Sequence, residues 1–137
     1  MTARADLLAF DDYIASGTSG SVYVYTPDIL NDTLGIYDVI ACEAILDKVT
    51  LSAVGSFKLY LQHSANNKDF VFSNGLTTPP AAPEINLASL STTAVNLGIA
   101  AYSGAYPLLG KVRFALQFGE VTTSAHVKLF VIQRDLA

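Results

Sequence analysis

The chain has no tryptophan, one cysteine and two histidines in 137 residues, and only 15% of it is charged. A single thiol, Cys42, excludes a disulfide framework and a thiolate metal cluster. It fits synthesis in a reducing compartment, or folding that does not depend on an oxidising one. His63 and His126 have no third ligand at metal-like spacing, so neither a metal nor any other cofactor is expected. The longest stretch without charge, Ile85 to Gly110, is broken by Asn86, Ser89, Ser91, Thr92, Thr93 and Asn96, and does not read as a membrane span. The start, Met1-Thr2-Ala3-Arg4-Ala5-Asp6, places an acid where a secretory leader needs an apolar run. No dense cluster of Lys and Arg interleaved with aromatics is present, which argues against direct nucleic-acid binding.

What is abundant is apolar surface. Apolar residues make up 51% of the chain, while its charged fraction lies below the ~25% of an ordinary soluble domain. One domain of this length buries a proper core, and the surplus points to burial in a larger assembly. The net charge of −4 is unevenly placed. Residues 1–47 sum to −7 and residues 48–137 to +3. Either strands from both parts intermix and cancel, or the molecule has acidic and basic faces that meet different neighbours.

Period-two alternation dominates the pattern and predicts strands with one face inward. In Lys111 to Phe118, Val112, Phe114, Leu116 and Phe118 oppose Lys111, Arg113, Ala115 and Gln117. In Phe57 to Gln62, Phe57, Leu59 and Leu61 oppose Lys58, Tyr60 and Gln62, and in His126 to Gln133 one face is Val127, Leu129 and Val131. Ser21 to Tyr25 alternates valine with tyrosine, and the apolar run from Ile36 to Leu46 suits a central strand. Ser64 to Asp69 reads as the turn of a hairpin onto Phe70–Phe72, which Ser73-Asn74-Gly75 then ends. Gly119 to Ser124 is expected to join the last two strands as a hairpin, and Thr77 to Pro83 forms a stiff connector. Asp6 to Ile14 and Asp28 to Leu34 are each expected to form at most short helical turns. The fold expected is all-β: an antiparallel, jelly-roll-like sandwich over residues 17–137, preceded by an arm at residues 1–16.

A search for catalytic chemistry finds little. Cys42 lies in the apolar run Val39 to Ile45, where a thiol behaves as a small hydrophobe. His63 and His126 read as surface imidazoles. Asp11-Asp12 and Asp28/Asp32 lack the spacing of a hydrolytic pair or a calcium loop, and read as solvated acids or helix caps. Gly17-Thr18-Ser19-Gly20 has neither the lysine nor the following helix of a phosphate loop. No enzyme is expected. The candidates that remain are contact residues: Leu7, Leu8, Phe10 and Tyr13 near the N-terminus, and Leu90, Val95, Leu97, Tyr102, Tyr106, Leu108 and Leu109 in the charge-free stretch. The N-terminal set either docks on a neighbour or folds back on its own sandwich.

The segment Val54-Gly55-Ser56-Phe57-Lys58-Leu59-Tyr60-Leu61-Gln62-His63-Ser64-Ala65-Asn66-Asn67-Lys68-Asp69-Phe70 resembles one common in virion proteins of tailed bacteriophages. There an aliphatic strand ends in Leu-Gln-x-Ser and a polar turn precedes an aromatic. The order that follows is an apolar loop, Lys111 to Phe118, a Thr/Ser turn and a last strand ending Val131-Ile132-Gln133-Arg134-Asp135. It is similar to that of the cement (decoration) proteins on the outside of such capsids. The resemblance covers residues 36–135. It implies a jelly-roll-like sandwich made in the host cytoplasm and placed on the capsid exterior, clustered in twos or threes on the major capsid protein, without enzyme activity. Asn31-Asp32-Thr33-Leu34-Gly35 only loosely echoes a glycine-rich segment of that pattern, and Pro79-Pro80 has no counterpart in it, so no binding residue is carried over. The alternative is a carbohydrate- or ligand-binding sandwich of a phage tail or spike. Seven tyrosines favour it and the lack of tryptophan weighs against it.

Overall fold

Strands that alternate apolar and polar residues have one face to hide, and two sheets set face to face hide it. A computed structural model describes residues 4–15, 23–27, 29–30, 39–51, 55–64, 66, 68–102, 111–118 and 122–134. Within them the strands are β1 (Arg4–Ala15), β2 (Val24–Tyr25), β3 (Ile29–Leu30), β4 (Val39–Leu51), β5 (Phe57–Ser64), β6 (Val71–Phe72), β7 (Ile85–Leu87), β8 (Asn96–Tyr102), β9 (Lys111–Phe118) and β10 (Thr122–Arg134). Sheet A has the order β1-β10-β4-β8. Sheet B has the order β2-β9-β5-β6, with β3 also on β9 and β7 also on β5. Every pairing is antiparallel, and the described residues contain no helix. The expected all-β sandwich is the fold.

The core lies between the sheets. Sheet A contributes Cys42, Ala44, Leu46 and Val49 from β4 and Ala125, Val127, Leu129 and Val131 from β10. Sheet B answers with Phe57, Leu59 and Leu61 from β5 and Val112, Phe114, Leu116 and Phe118 from β9. Burying one such large side chain stabilises by about 1.5–3 kcal/mol, so this double layer dominates the fold's energetics. A bulge in β4 adjusts its inward set. Ser124 pairs with Thr50 but His126 with Asp47, so Lys48 and Val49 together face Ala125, and Lys48 takes a φ of 50°. After the bulge the inward parity flips from Leu46 to Val49, and Asp47 is left on the outer face.

Two local expectations change. Asp6–Ile14 is not helical: it lies within β1, paired along its length with β10, with Phe10 and Ile14 on the core and Asp11 and Tyr13 outward. A helix of one or two turns is unstable alone, whereas the free edge of β10 satisfies this backbone outright. The N-terminal segment therefore folds back on its own sandwich. For Asp28–Leu34, residues 29 and 30 are strand β3, and 31–34 lie outside the described residues.

Nor do β9 and β10 form a hairpin, because β9 sits in sheet B and β10 in sheet A. Both carry a wholly apolar inner face, and placing them in opposite sheets packs those faces against each other across the core. The expected hairpin of β5 with β6 is present, with Gln62 opposite Phe72 and His63 opposite Val71. It ends at Asn74-Gly75, where the Gly75 N–H donates to the Phe72 carbonyl at 2.8 Å and Gly75 has a φ of 78°.

Between β7 and β8 the chain crosses from sheet B to sheet A. Asn96 braces the crossing by accepting the Ser91 N–H at 2.7 Å and donating to the Ser91 carbonyl at 2.9 Å. Just beyond, a Cβ on Gly98 would stand 2.5 Å from Ile85 Cγ2, so only glycine fits there without movement. Gly98→Ala is expected to destabilise by about 1–3 kcal/mol in denaturant unfolding through overpacking. In an Ile85→Ala background the further cost of Gly98→Ala should be much smaller; equal costs in both backgrounds would mean the two sites do not press on one another.

Candidate functional site

A two-layer sandwich exposes the outer faces of its sheets, and here the two faces differ. On sheet A the cross-strand register sets out three rows. Tyr13, His126 and Asp47 form the first, Lys128, Ile45 and Leu97 the second, and Phe130, Glu43 and Ile99 the third. Leu97 and Ile99 on β8 are 55% and 65% exposed, and Val95 just before the strand is 62% exposed. Ile45 and Phe130 beside them are half-buried. Among the described residues β8 pairs only with β4, so this apolar strip runs along an open sheet edge. Such edges are ordinarily blunted by charge or covered.

At the other side of that face His126 bridges three strands. Its Nε2 lies 2.6 Å from Asp11 Oδ1 on β1, and its Nδ1 lies 2.8 Å from Asp47 Oδ1 on β4. Both contacts are donated together only by the protonated ring. The hydrogen bond to Asp11, then that to Asp47, accordingly raises its pKa above the ordinary 6.5, against a smaller opposing effect of burial. With both nitrogens engaged, this imidazole has none left for general-base work. Cys42 points inward and His126 outward, so the two do not meet.

The outer face of sheet B is aromatic. Tyr60 on β5 and Phe72 on β6 are buried, with ring centroids 5.5 Å apart. Tyr23 packs on both, 6.0 Å from Tyr60 and 6.1 Å from Phe72, and stacks on Tyr25 at 6.2 Å. Burial first, then the neighbouring Tyr23 and Glu84, raise the Tyr60 pKa above 10.0. Glu84 occupies the gap between β6 and β7 on the edge of β5, accepting the Leu61 N–H at 2.9 Å and the Ser73 hydroxyl at 2.6 Å. Beside this cluster the Arg113 guanidinium lies between two rings, 3.9 Å from the centroid of Tyr25 and 3.9 Å from that of Phe70. Its Nε donates to Gln62 Oε1 at 2.8 Å.

The residues expected to make contacts are only partly brought together. Leu97, Val95 and Tyr13 are exposed, whereas Leu90 is buried in the core and cannot be a contact residue in the folded chain. Phe10 is half-buried against the core. Leu7 and Leu8 pair through their backbone with Val131 and Phe130, and Tyr102 with Ile40. Tyr106, Leu108 and Leu109 lie outside the described residues. His63 is not the surface imidazole expected: it shares the inward parity of Phe57, Leu59 and Leu61 and is 8% exposed. Neither ring nitrogen has a hydrogen-bond partner among the described residues, and burial lowers its pKa from 6.5. The Asp11–His126–Asp47 bridge and the Arg113 stack have no signature in the sequence, since both depend on which strands become neighbours.

No protein-family model matches the chain, and no curated protein matches it. Among solved structures it is similar to the CBM22-1 xylan-binding domain from Paenibacillus barcinonensis, with a TM-score of 0.54 and 15% identity over 99% of this chain and 86% of that one. It is also similar to the CBM22-1 and GH10 modules of Clostridium thermocellum endo-1,4-beta-D-xylanase 10B complexed with xylohexaose, with a TM-score of 0.53 and 10% identity over 96% of this chain. This chain spans only 26% of the xylanase chain's length. The full particle of Israeli acute paralysis virus overlaps at a TM-score of 0.39 and 12% identity. The likeness to the two CBM22-1 structures, at these identities, establishes a shared β-sandwich architecture and nothing finer.

The raised pKa of His126 fixes the sign of a pH effect. A histidine whose folded-state pKa exceeds its unfolded value stabilises fully below about pH 6.5 and loses that contribution as pH rises through the folded value. The difference in melting temperature between the parent and His126→Gln is therefore expected to be widest near pH ~5.5 and to narrow towards pH ~9. A difference that stays constant or grows with pH would remove the ion-paired imidazolium from the account.

Proposed function

We propose that the chain is a virion structural protein, a capsid decoration or cement protein that binds the major capsid protein and further copies of itself on the outside of a tailed-phage shell. The observation that carries this reading is the apolar strip Val95, Leu97 and Ile99 along β8, whose outer edge has no strand partner among the described residues, inside a 26-residue stretch without charge, from Ile85 to Gly110. An exposed apolar edge left bare is an aggregation hazard, and covering it with a partner removes that hazard. Stable contacts of this kind bury on the order of 1,000 Å² or more, and many copies acting together make individually modest contacts hold. The reading needs no catalysis, in keeping with a His126 whose nitrogens are both engaged and a Cys42 that is buried. The resemblance of residues 54–70 and 111–135 to virion proteins supports the choice of partner.

A second reading, a carbohydrate-binding module, is favoured by one specific observation: the Tyr25–Arg113–Phe70 stack on the opposite face.

The pair of substitutions Leu97→Asp and Ile99→Asp tests the first reading. Both side chains are already exposed, so the fold should survive with only a modest fall in melting temperature, from the carboxylate that Ile99→Asp sets opposite Glu43. Co-sedimentation with capsids purified from the same source is expected to fall at least about tenfold, because desolvating two carboxylates on an apolar contact is costly. Undiminished co-sedimentation of the variant, or absence of the chain from purified particles by peptide mass spectrometry, would contradict it.

A further inference from the structure

Arg113 is held more firmly than a structural brace requires. Each face of its guanidinium is capped by a ring at 3.9 Å, and Gln62, itself buried, fixes the plane through Nε. Cation–π contact with two rings and a hydrogen bond leave the side chain little rotational freedom. What remains is the outer edge of the fork. Its two terminal nitrogens have no hydrogen-bond partner among the described residues. Arg113 is half-buried, and neither nitrogen is among the fully buried unpartnered atoms, so both keep some contact with solvent.

A rigid, planar pair of N–H donors fits a carboxylate, which it grips through two parallel hydrogen bonds. The surroundings suit a negative ligand. The strands of sheet B carry Lys58, Lys111 and Arg113 and no acid, while those of sheet A carry Asp6, Asp11, Asp12, Glu43 and Asp47 alongside Arg4, Lys48, Lys128 and Arg134. Among the described acids beside this cluster, Glu84 is engaged with Leu61 and Ser73, and Asp69 with the Asn66 side chain at 2.8 Å. Against the fork stands Tyr25, 45% exposed; with Arg113 on its ring and Tyr23 stacked on it, what it offers a ligand is its outer edge and its hydroxyl.

We propose that the Tyr25–Arg113–Phe70 stack, with Gln62, binds a saccharide that carries a carboxylate, the fork taking the carboxylate and the exposed edge and hydroxyl of Tyr25 meeting the pyranose ring. The proposal rests on the carbohydrate-binding reading and makes it specific. It is also compatible with attachment to a shell through sheet A, because the stack lies on the opposite face of the sandwich.

The test is titration calorimetry on the full chain at low salt, with proton–nitrogen NMR following the Arg113 Nε–H signal. The probes are a glucuronate-substituted xylo-oligosaccharide, sialyllactose, xylohexaose, sodium acetate and inorganic phosphate. At least one of the two acidic saccharides should bind about tenfold or more tightly than xylohexaose and should shift the Nε–H signal. Which of them does so identifies the sugar as uronate or sialate. Arg113→Lys, which loses both the fork and the stacking, should weaken that binding about tenfold. Tyr25→Ala should weaken acidic saccharides without abolishing acetate binding. Xylohexaose binding as tightly as the acidic sugars would overturn the carboxylate assignment and leave the carbohydrate-binding reading standing. No saccharide binding at all would overturn both, and acetate or phosphate binding as tightly as the sugars would reduce the site to an anion clamp. The measurements on the parent chain decide among these even if a variant folds poorly.

Discussion

The interior of this protein is a double layer of side chains drawn from β4 and β10 on one side and β5 and β9 on the other. Phe57, Phe114, Leu46, Leu59, Leu61, Leu116, Leu129, Val112, Val127 and Val131 are all less than 2% exposed. Because each of these strands has one predominantly apolar face, broken on β5 by His63, the chain must place them so that the faces meet. That requirement sends β9 and β10, consecutive in sequence, into different sheets. It makes the connection between β7 and β8 cross the sandwich and leaves glycine as the residue that fits where β8 passes Ile85. It also draws the N-terminal strand onto the exposed edge of β10. Once the inner faces are committed, function falls to the outer ones.

The strands that form the core were legible. Alternation marked Phe57–Gln62, Lys111–Phe118 and Val127–Val131, the long apolar run marked the central β4, and Asn74-Gly75 marked a turn. The failures share a physical cause. Residues 6–14 carry apolar positions that suit either a short amphipathic helix or an edge strand, and only the free edge of β10 decides between them. The polarity of a histidine suggests an outward His63, whereas its parity with Leu59 and Leu61 puts it inside. The hairpin expected of β9 and β10 assumed that consecutive strands are neighbours, a tendency that jelly-roll-like connections break. The His126 bridge joins residues 11, 47 and 126, and the Arg113 stack joins residues 25, 62, 70 and 113. No local spacing announces either, because both are products of register.

The uneven charge of the chain partly survives folding. In sheet A the acids of β1 and β4 are largely offset by Arg4, Lys48 and the Lys128 and Arg134 of the intervening β10, whereas sheet B takes strands whose formal charges are all basic. The molecule thus has one face with an apolar strip and the Asp11–His126–Asp47 bridge, and an opposite face with an aromatic cluster and the stacked Arg113. A module that docks through one and presents the other uses both without conflict. The two histidines also pull stability in opposite directions. The bridged His126 favours folding at acid pH, while His63, buried and uncharged, opposes it once pH falls below about 6.5 and its unfolded form takes up a proton.

Amide hydrogen exchange on the chain, free and bound to purified capsids, tests the central claim that the outer face of sheet A is the contact surface. Strand β8, whose outer edge has no strand partner among the described residues, reports directly on what covers it. Slowing of exchange on binding that is concentrated in residues 95–102, with sheet B unchanged, is the result expected. Slowing confined to sheet B, or none anywhere, would contradict it.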